Sequence, residues 1–336
     1  MPEITIADSV KDGFDGLSRL DWAGGPEPAL LLLAALLLSA LFGRPRGLFH
    51  YLPDPNAALE VLTRGLAVKL NRKKRSSNAR MVRGLLTLFF VTGLAAAAGG
   101  ALIHFVKPMA YGWLAELALV ALLIAPRAGT ERAFGVARRL KEGDAPSDPD
   151  IVDGFGWARR VIEGCAGNFT TGVVAPVFWF LILGLPGLAA YRAIEIVDRR
   201  AGRGDERAGA FGVAIARVTD AVNFLPARLA GILIAAAAFF TPSARAGGGL
   251  QVMFRDAGHG TEPGTAWPQA AVAGALGLAL QGPKRVRGRV LDAPWLGDGR
   301  ARATPLDIRR TLLLYAVACL ILGTLILAVT AARHAF

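Results

Sequence analysis

Long stretches without a single Asp, Glu, Lys or Arg alternate along this chain with short, densely charged ones. The uncharged stretches are 28–43, 84–106, 164–191, 229–244, 263–283 and 311–332, and 108–126 is interrupted only by Glu116. A helix that crosses a bilayer needs about 20 mostly apolar residues, within a range of roughly 17–25. On that measure 84–106 and 311–332 predict full spans, and 28–43 and 108–126 predict further ones. The remaining three runs are apolar but irregular. Segment 164–191 opens with Asn168, Thr170 and Thr171 and is interrupted by Pro186-Gly187. Non-helical backbone at membrane depth is tolerated only where protein or a water-filled cavity satisfies its polar groups. The pattern therefore predicts a broken or re-entrant element lining a cavity, with a kinked ordinary span as the alternative.

The charged stretches set sidedness. Loop 44–83 carries ten Lys or Arg against Asp54 and Glu60, and loops of that kind stay in the cytoplasm. Spans 84–106 and 108–126 then form a hairpin turned at Lys107-Pro108. In loop 127–163, Glu131 to Asp144 reads as an amphipathic surface helix ended by Gly143. If 164–191 crosses fully, 192–228 with its seven Arg falls outside. If 164–191 and 229–244 both dip in and return, 192–228 stays cytoplasmic. Either choice leaves 284–310, with eight Lys or Arg, on the cytoplasmic side. Residues 1–27 hold four Asp and no basic region before an apolar core, so no cleavable signal is expected and the segment reads as a lead-in. The expected fold class is an all-α, polytopic integral membrane protein, a single domain over 28–336. It has broken or re-entrant apolar elements and amphipathic cytoplasmic helices.

Composition agrees with that picture. The chain is 53% hydrophobic and only 19% charged, where soluble domains run to about 25% charged. A net charge of +12 raises the question of nucleic acid. The densest basic cluster, Asn71 to Arg75, lies beside apolar spans, where such clusters hold loops against anionic lipid. No nucleic-acid motif with interleaved aromatics accompanies it, so the expected partner is the lipid bilayer and no nucleic acid. Cys165 and Cys319 sit in or beside apolar runs and read as buried thiols. There is no Gly-rich phosphate loop with Lys-Ser/Thr, no dinucleotide fingerprint and no HExxH. The four His do not pair at metal-ligand spacing. The Gly-rich stretch from Ala246 to Gly260 reads as a flexible connector, with contact to a phosphate as the other possibility.

Chemistry concentrates in 157–228, where carboxylates, amides and arginines edge the apolar elements. The order "EGCAGNFTTGVVAPVFWFLILGLPGLAAYRAIEIVDRRAG" followed by "FGVAIARVTDAVNFLPARL" resembles the CobD/CbiB family of cobalamin biosynthesis, the adenosylcobinamide-phosphate synthases. Their pattern reads "ESxAEN-TSDG-VVAP-LFW", "GLPG…YKAxNTLDSM" and "FG…AR-DD-xN-xPAR". Later, "GTAWPQAAVAGALGLALQGP" is similar to the family's "N-x-GWP-x-AAxAGALGxxLGGP". Near the start, "LFGRPRGLFHYLPDPNAALEVL" is similar to its "GDP…LPHPVxxxG". The resemblance runs from about residue 36 to 300. The chain departs from the pattern at Gly167 and Thr171, which replace acids, at Thr219 in the "DD" pair, at Asp54 for His and at Gly264 for Asn. The "NTLDSM" segment becomes Glu195 to Arg200, which keeps Asp198.

The resemblance implies an inner-membrane enzyme with its site toward the cytoplasm. The implied reaction joins adenosylcobyric acid to aminopropanol or its phosphate, with ATP and Mg²⁺ required and the corrinoid as substrate. On the matching positions, Asp198, Asp220, Glu195 and Glu163 are the expected catalytic residues, Asp198 and Asp220 being the metal ligands. Asn168, Thr171, Tyr191, Arg217, Asn223 and Arg228 are the expected substrate-binding residues. Contact with other membrane enzymes of the same pathway is a further expectation. Two other readings stay open: a catalytically altered relative that keeps the membrane fold for binding or signalling, and a transporter-like protein built on the broken apolar elements.

Overall fold

A computed structural model describes residues 27–42, 55–72, 75–106, 108–109, 111–124, 127–144, 151, 154–202, 209–286 and 289–335. The lead-in 1–26, Asp54, Lys73 and Lys74 of the basic cluster, and residues 203–208 lie outside them. Twelve α-helices are described: α1 (Pro28–Phe42), α2 (Pro55–Leu70), α3 (Ser77–Val106), α4 (Gly112–Leu123), α5 (Arg127–Lys141), α6 (Gly154–Phe169), α7 (Ala175–Ala201), α8 (Ala210–Val222), α9 (Phe224–Ala237), α10 (Ala246–Asp256), α11 (Pro263–Leu276) and α12 (Pro305–Ala335). One turn of π-helix, Thr170–Val174, joins α6 to α7.

Among the described residues, three helical segments are long and apolar enough to cross a membrane: Ser77–Val106, Gly154–Ala201 and Pro305–Arg333. Their outward faces carry Phe89, Phe90, Leu320 and Val329 in the open, as lipid-facing surfaces do. Helix α4 is followed by α5, and Gly143 beyond it has φ 77°, the left-handed conformation that stops a helix.

The middle segment is not a straight rod. At about 1.5 Å per residue, its 48 residues would extend roughly 72 Å, far beyond a hydrocarbon layer of about 30 Å. Gly184 instead adopts φ 65°, ψ −156° inside α7. A side chain would be strained in that conformation. Pro186 follows two residues later, and the chain doubles back. Tyr191 Oη comes within 3.5 Å of the Thr171 carbonyl oxygen, although twenty residues along a straight helix would separate them by about 30 Å. The bend is tight because Gly187 has no side chain; a Cβ there would sit 2.7 Å from the carbonyl oxygen of Trp179. The descending arm ends in exposed Leu181, Ile182 and Leu183.

The returning arm, 185–201, lies antiparallel to α3. A Cβ on Gly99 would meet Pro186 Cα at 3.2 Å, and Leu88, Val91 and Ala95 share a core with Ala193, Ile194 and Val197. Arg200 pairs with Glu60, tying the same arm to α2. Helices α8 and α9 form a second bent pair, turned through 54° at Asn223.

Helix α11 has almost no amphipathic face: Ala266, Ala270, Ala271, Val272, Ala273 and Ala275 are all buried. A helix apolar all round belongs inside a core, and α6, α9, α10 and α12 enclose this one. The approach of α10 depends on glycine. A Cβ on Gly274 would lie 2.1 Å from the Gly248 carbonyl oxygen. The Gly-rich stretch expected as a flexible connector is therefore a helix, because its glycines are the contact surface that lets two backbones meet.

The helices leave one stretch in extended form. Residues 280–296 form two short antiparallel pairs, β1 (Leu280–Gln281) with β4 (Trp295–Leu296) and β2 (Lys284–Val286) with β3 (Arg289–Leu291). Three glycines and two prolines in 277–294 leave no room for a helix. Beyond them Asp307 caps α12, accepting from the Thr304 N–H at 2.9 Å and from Arg300 at 2.6 Å.

Candidate functional site

A cavity of about 480 Å³ opens where α5, α6, the returning arm of α7 and the N-terminus of α11 converge. Its wall contains Glu163, Gly167, Asn168, Thr171 and Glu195, together with Arg132, Arg160, Arg199, Gln269 and Gln281. Each reaches it for a local reason. Glu163, Gly167 and Asn168 lie on one face of α6. Thr171, four residues after Gly167 and within the π-turn, falls on the same side; such bulges are common at functional sites. The fold-back at Gly184 brings Glu195 and Arg199, four residues apart on one helical face, across from Thr171.

Behind the cavity runs a chain of hydrogen bonds through the two bent elements. Tyr191 Oη donates to Asn223 Oδ1 at 2.9 Å, and Asn223 Nδ2 donates to Glu195 Oε1 at 3.1 Å. Asn223 is buried at the α8–α9 bend, and Tyr191 is fully enclosed. This fixes the Glu195 carboxylate at the cavity wall. On the opposite side Asn168 Nδ2 donates to Tyr315 Oη at 3.2 Å, fastening α6 to α12.

A second polar set forms the floor. Glu163 Oε1 accepts the backbone N–H of Gln281 at 2.6 Å. Gln269 Nε2 donates to the Glu163 carbonyl at 3.1 Å, and Gln281 Nε2 donates to Gln269 Oε1 at 2.6 Å.

The ten residues expected from the sequence divide accordingly. Glu163, Asn168, Thr171 and Glu195 line the cavity, and Tyr191 and Asn223 stand directly behind Glu195. Asp198 is buried one turn beyond Glu195 and is not part of the cavity wall. Asp220 and Arg217 lie on α8, Arg217 in the open. The Arg228 guanidinium is stacked 3.5 Å over Phe224 and 4.3 Å over Trp267, which occupies it away from the cavity.

Two of the departures from the family pattern, Gly167 and Thr171, fall on the cavity wall, and Gly264 packs against Asn223. Arg132, Arg160, Arg199 and Gln269 were not read from the sequence, because nothing marks them out from other charged or polar helix residues before the helices are packed. Gln281 left a signal: it stands where the pattern "LGGP" has glycine.

A divalent ion held by protein alone needs a cluster of donors, and no group of three or more His, Cys, Asp or Glu suited to one occurs among the described residues. A Mg²⁺ ion carried by nucleotide phosphates needs only one or two carboxylates. Glu195 and Glu262, both on the cavity wall, fit that lesser demand.

Comparison with known proteins gives one consistent result. The family described as CobD/Cbib protein matches residues 32–315. A protein of Sinorhizobium sp. named "Cobalamin biosynthesis protein CobD" is 34% identical over 319 residues, covering 90% of this chain and 98% of its own. Proteins of the same name from Brucella suis biovar 1 and Rhodobacter capsulatus are each 34% identical, covering 85% of this chain and 92% of theirs. No solved structure matches.

Proposed function

The chain belongs to the CobD/CbiB protein family and has a role in cobalamin biosynthesis, and from that premise we propose that it catalyses ATP-dependent amide formation at the cavity described above. The substrates are adenosylcobyric acid and aminopropanol or its phosphate, and the product is adenosylcobinamide or its phosphate. The observation that carries this reading is a carboxylate, Glu195, held at a polar cavity wall by Asn223 Nδ2.

A carboxylate does not condense with an amine unaided. Transfer of a phosphoryl group from ATP to the substrate carboxylate gives an acyl phosphate and ADP. Attack by the amine then forms the C–N bond and expels inorganic phosphate. Mg²⁺, when bound, neutralises phosphate charge during the first step. Glu195 takes the proton that the amine loses as it attacks, a role that needs a carboxylate within hydrogen-bond reach of the nitrogen. Arg132, Arg160 and Arg199 surround the same space with positive charge suited to phosphate oxygens. In this reading the hairpin of 164–191 enters the bilayer from the cytoplasm of the inner membrane and returns, so that ATP reaches the cavity from that side.

Purified protein in detergent should form the amide product from cobyric acid, amine and Mg–ATP, and should restore cobalamin-dependent growth to a strain lacking this step. One observation favours a second reading, a catalytically altered relative: the acids of the family pattern are absent at Gly167 and Thr171, both on the cavity wall. A protein that binds the corrinoid yet forms no product, and does not complement, would establish that reading instead.

A further inference from the structure

Gln281 has φ 58°, a left-handed backbone that glycine accepts freely and other side chains adopt at a cost. It is also buried, with 1% of its surface exposed. A strained, buried polar residue at a cavity wall is an observation from which function can be inferred.

The two floor amides are oriented without ambiguity. At one end the Thr261 N–H donates to Gln281 Oε1 at 3.1 Å, so that atom is an oxygen. At the other end the Glu163 carbonyl accepts from Gln269 Nε2, so that atom is a nitrogen. The bond between them, Gln281 Nε2 to Gln269 Oε1, follows the same direction. Each amide group carries two N–H donors, and each of these has used one. The second hydrogens of Gln269 and Gln281 have no acceptor among the described residues, and both side chains line the cavity. Gly167 lies beside them: a Cβ there would meet the Thr265 side chain at 3.1 Å and touch Gln269 Nε2 at 3.8 Å.

We propose that Gln281 and Gln269 form a neutral pair of donors that binds an anionic oxygen of the substrate, carboxylate or phosphoryl, on the cavity floor, and that Gln281 keeps its left-handed backbone to serve this contact. The inference rests on the amide-forming reading for the identity of the ligands but not for its test. Two neutral donors suit an oxygen on which negative charge is redistributed as a bond forms, because they stabilise it without holding a permanent counter-charge.

The experiment uses the full-length protein in detergent and Gln281→Gly, which fits φ 58° and retains the backbone N–H that serves Glu163. Gln281→Asn is the second variant: Asn tolerates the left-handed region, but its amide stops one methylene short. Equilibrium dialysis measures cobyric acid, aminopropanol phosphate and a non-hydrolysable ATP analogue separately, beside the melting temperature. Both variants should lose at least tenfold in affinity for one of the three ligands while melting cooperatively. Which ligand is affected distinguishes carboxylate, amine phosphate and nucleotide as the source of the oxygen. Affinities within twofold of wild type for all three would overturn the proposal. So would a uniform loss for all three with loss of cooperative melting, which assigns Gln281 a purely structural role. Binding is read without turnover, so a wild type that forms no product refutes the amide-forming reading and leaves this test intact.

Discussion

Glu195 and Asp198 are three residues apart, and the sequence treats them as equals on one helical face. The structure separates them: Glu195 reaches the cavity and receives a hydrogen bond from Asn223, while Asp198 is buried beside Gly202. Their substitutions should separate too. Loss of a general base costs about 10²–10⁴ in rate, so Glu195→Gln should lower kcat at saturating ATP by about 10²-fold with the melting temperature preserved. Asp198→Asn should lower the melting temperature and keep kcat within about tenfold of wild type; the reverse ranking would move the chemistry to Asp198. At this scale the site was half legible. Glu163, Asn168, Thr171 and Glu195 could be picked out because motif order survives divergence. The stacking of the Arg228 guanidinium on Phe224 and Trp267 could not be read, since nothing in "NFLPARL" shows it. The floor amides come from segments 12 residues apart and more than 100 beyond Glu163, so only folding brings them together.

Among the elements, long apolar helices were readable because hydrophobic length is a property of sequence alone. Bends were partly readable: Pro186-Gly187 announced a break, but the residue that turns the chain is Gly184. The Gly-rich helix α10 was misread because glycine signals both mobility and close packing, and only the partner decides which. Its contact can be tested. Gly274→Leu would force a side chain into the Gly248 carbonyl and should destabilise the protein by about 1–3 kcal/mol, as overpacking does, seen as a lower melting temperature in detergent. The far end of α10 adds a pH signature. The Arg255 guanidinium, with the Gly297 N–H at 2.7 Å, holds the Asp256 carboxyl below its ordinary range. A depressed carboxyl contributes stability that is complete above its unfolded pKa and is lost as pH falls through the folded value. The melting temperature should therefore decline below about pH 4, and Asp256→Asn should flatten that part of the profile.

For the molecule as a whole, charge patterning and apolar length were enough to identify a helical membrane protein. They could not establish how the bent elements lie relative to the bilayer. Arg217, exposed on α8, provides the test: a cysteine there should react with an impermeant maleimide in inverted vesicles and not in intact cells. Labelling in intact cells would show that 164–191 crosses fully and that the re-entrant reading is wrong. The enclosure of α11 has a consequence for how the protein is made. Its 14 residues extend only about 21 Å, too short to anchor themselves across hydrocarbon when they first emerge from the ribosome. They also pack against α12, which is synthesised last. The cavity therefore matures only after translation of the C-terminal span, which completes the shaft around this alanine-rich segment. A chain stalled before residue 305 would leave that shaft without one wall and present α11 to the proteases that patrol the membrane.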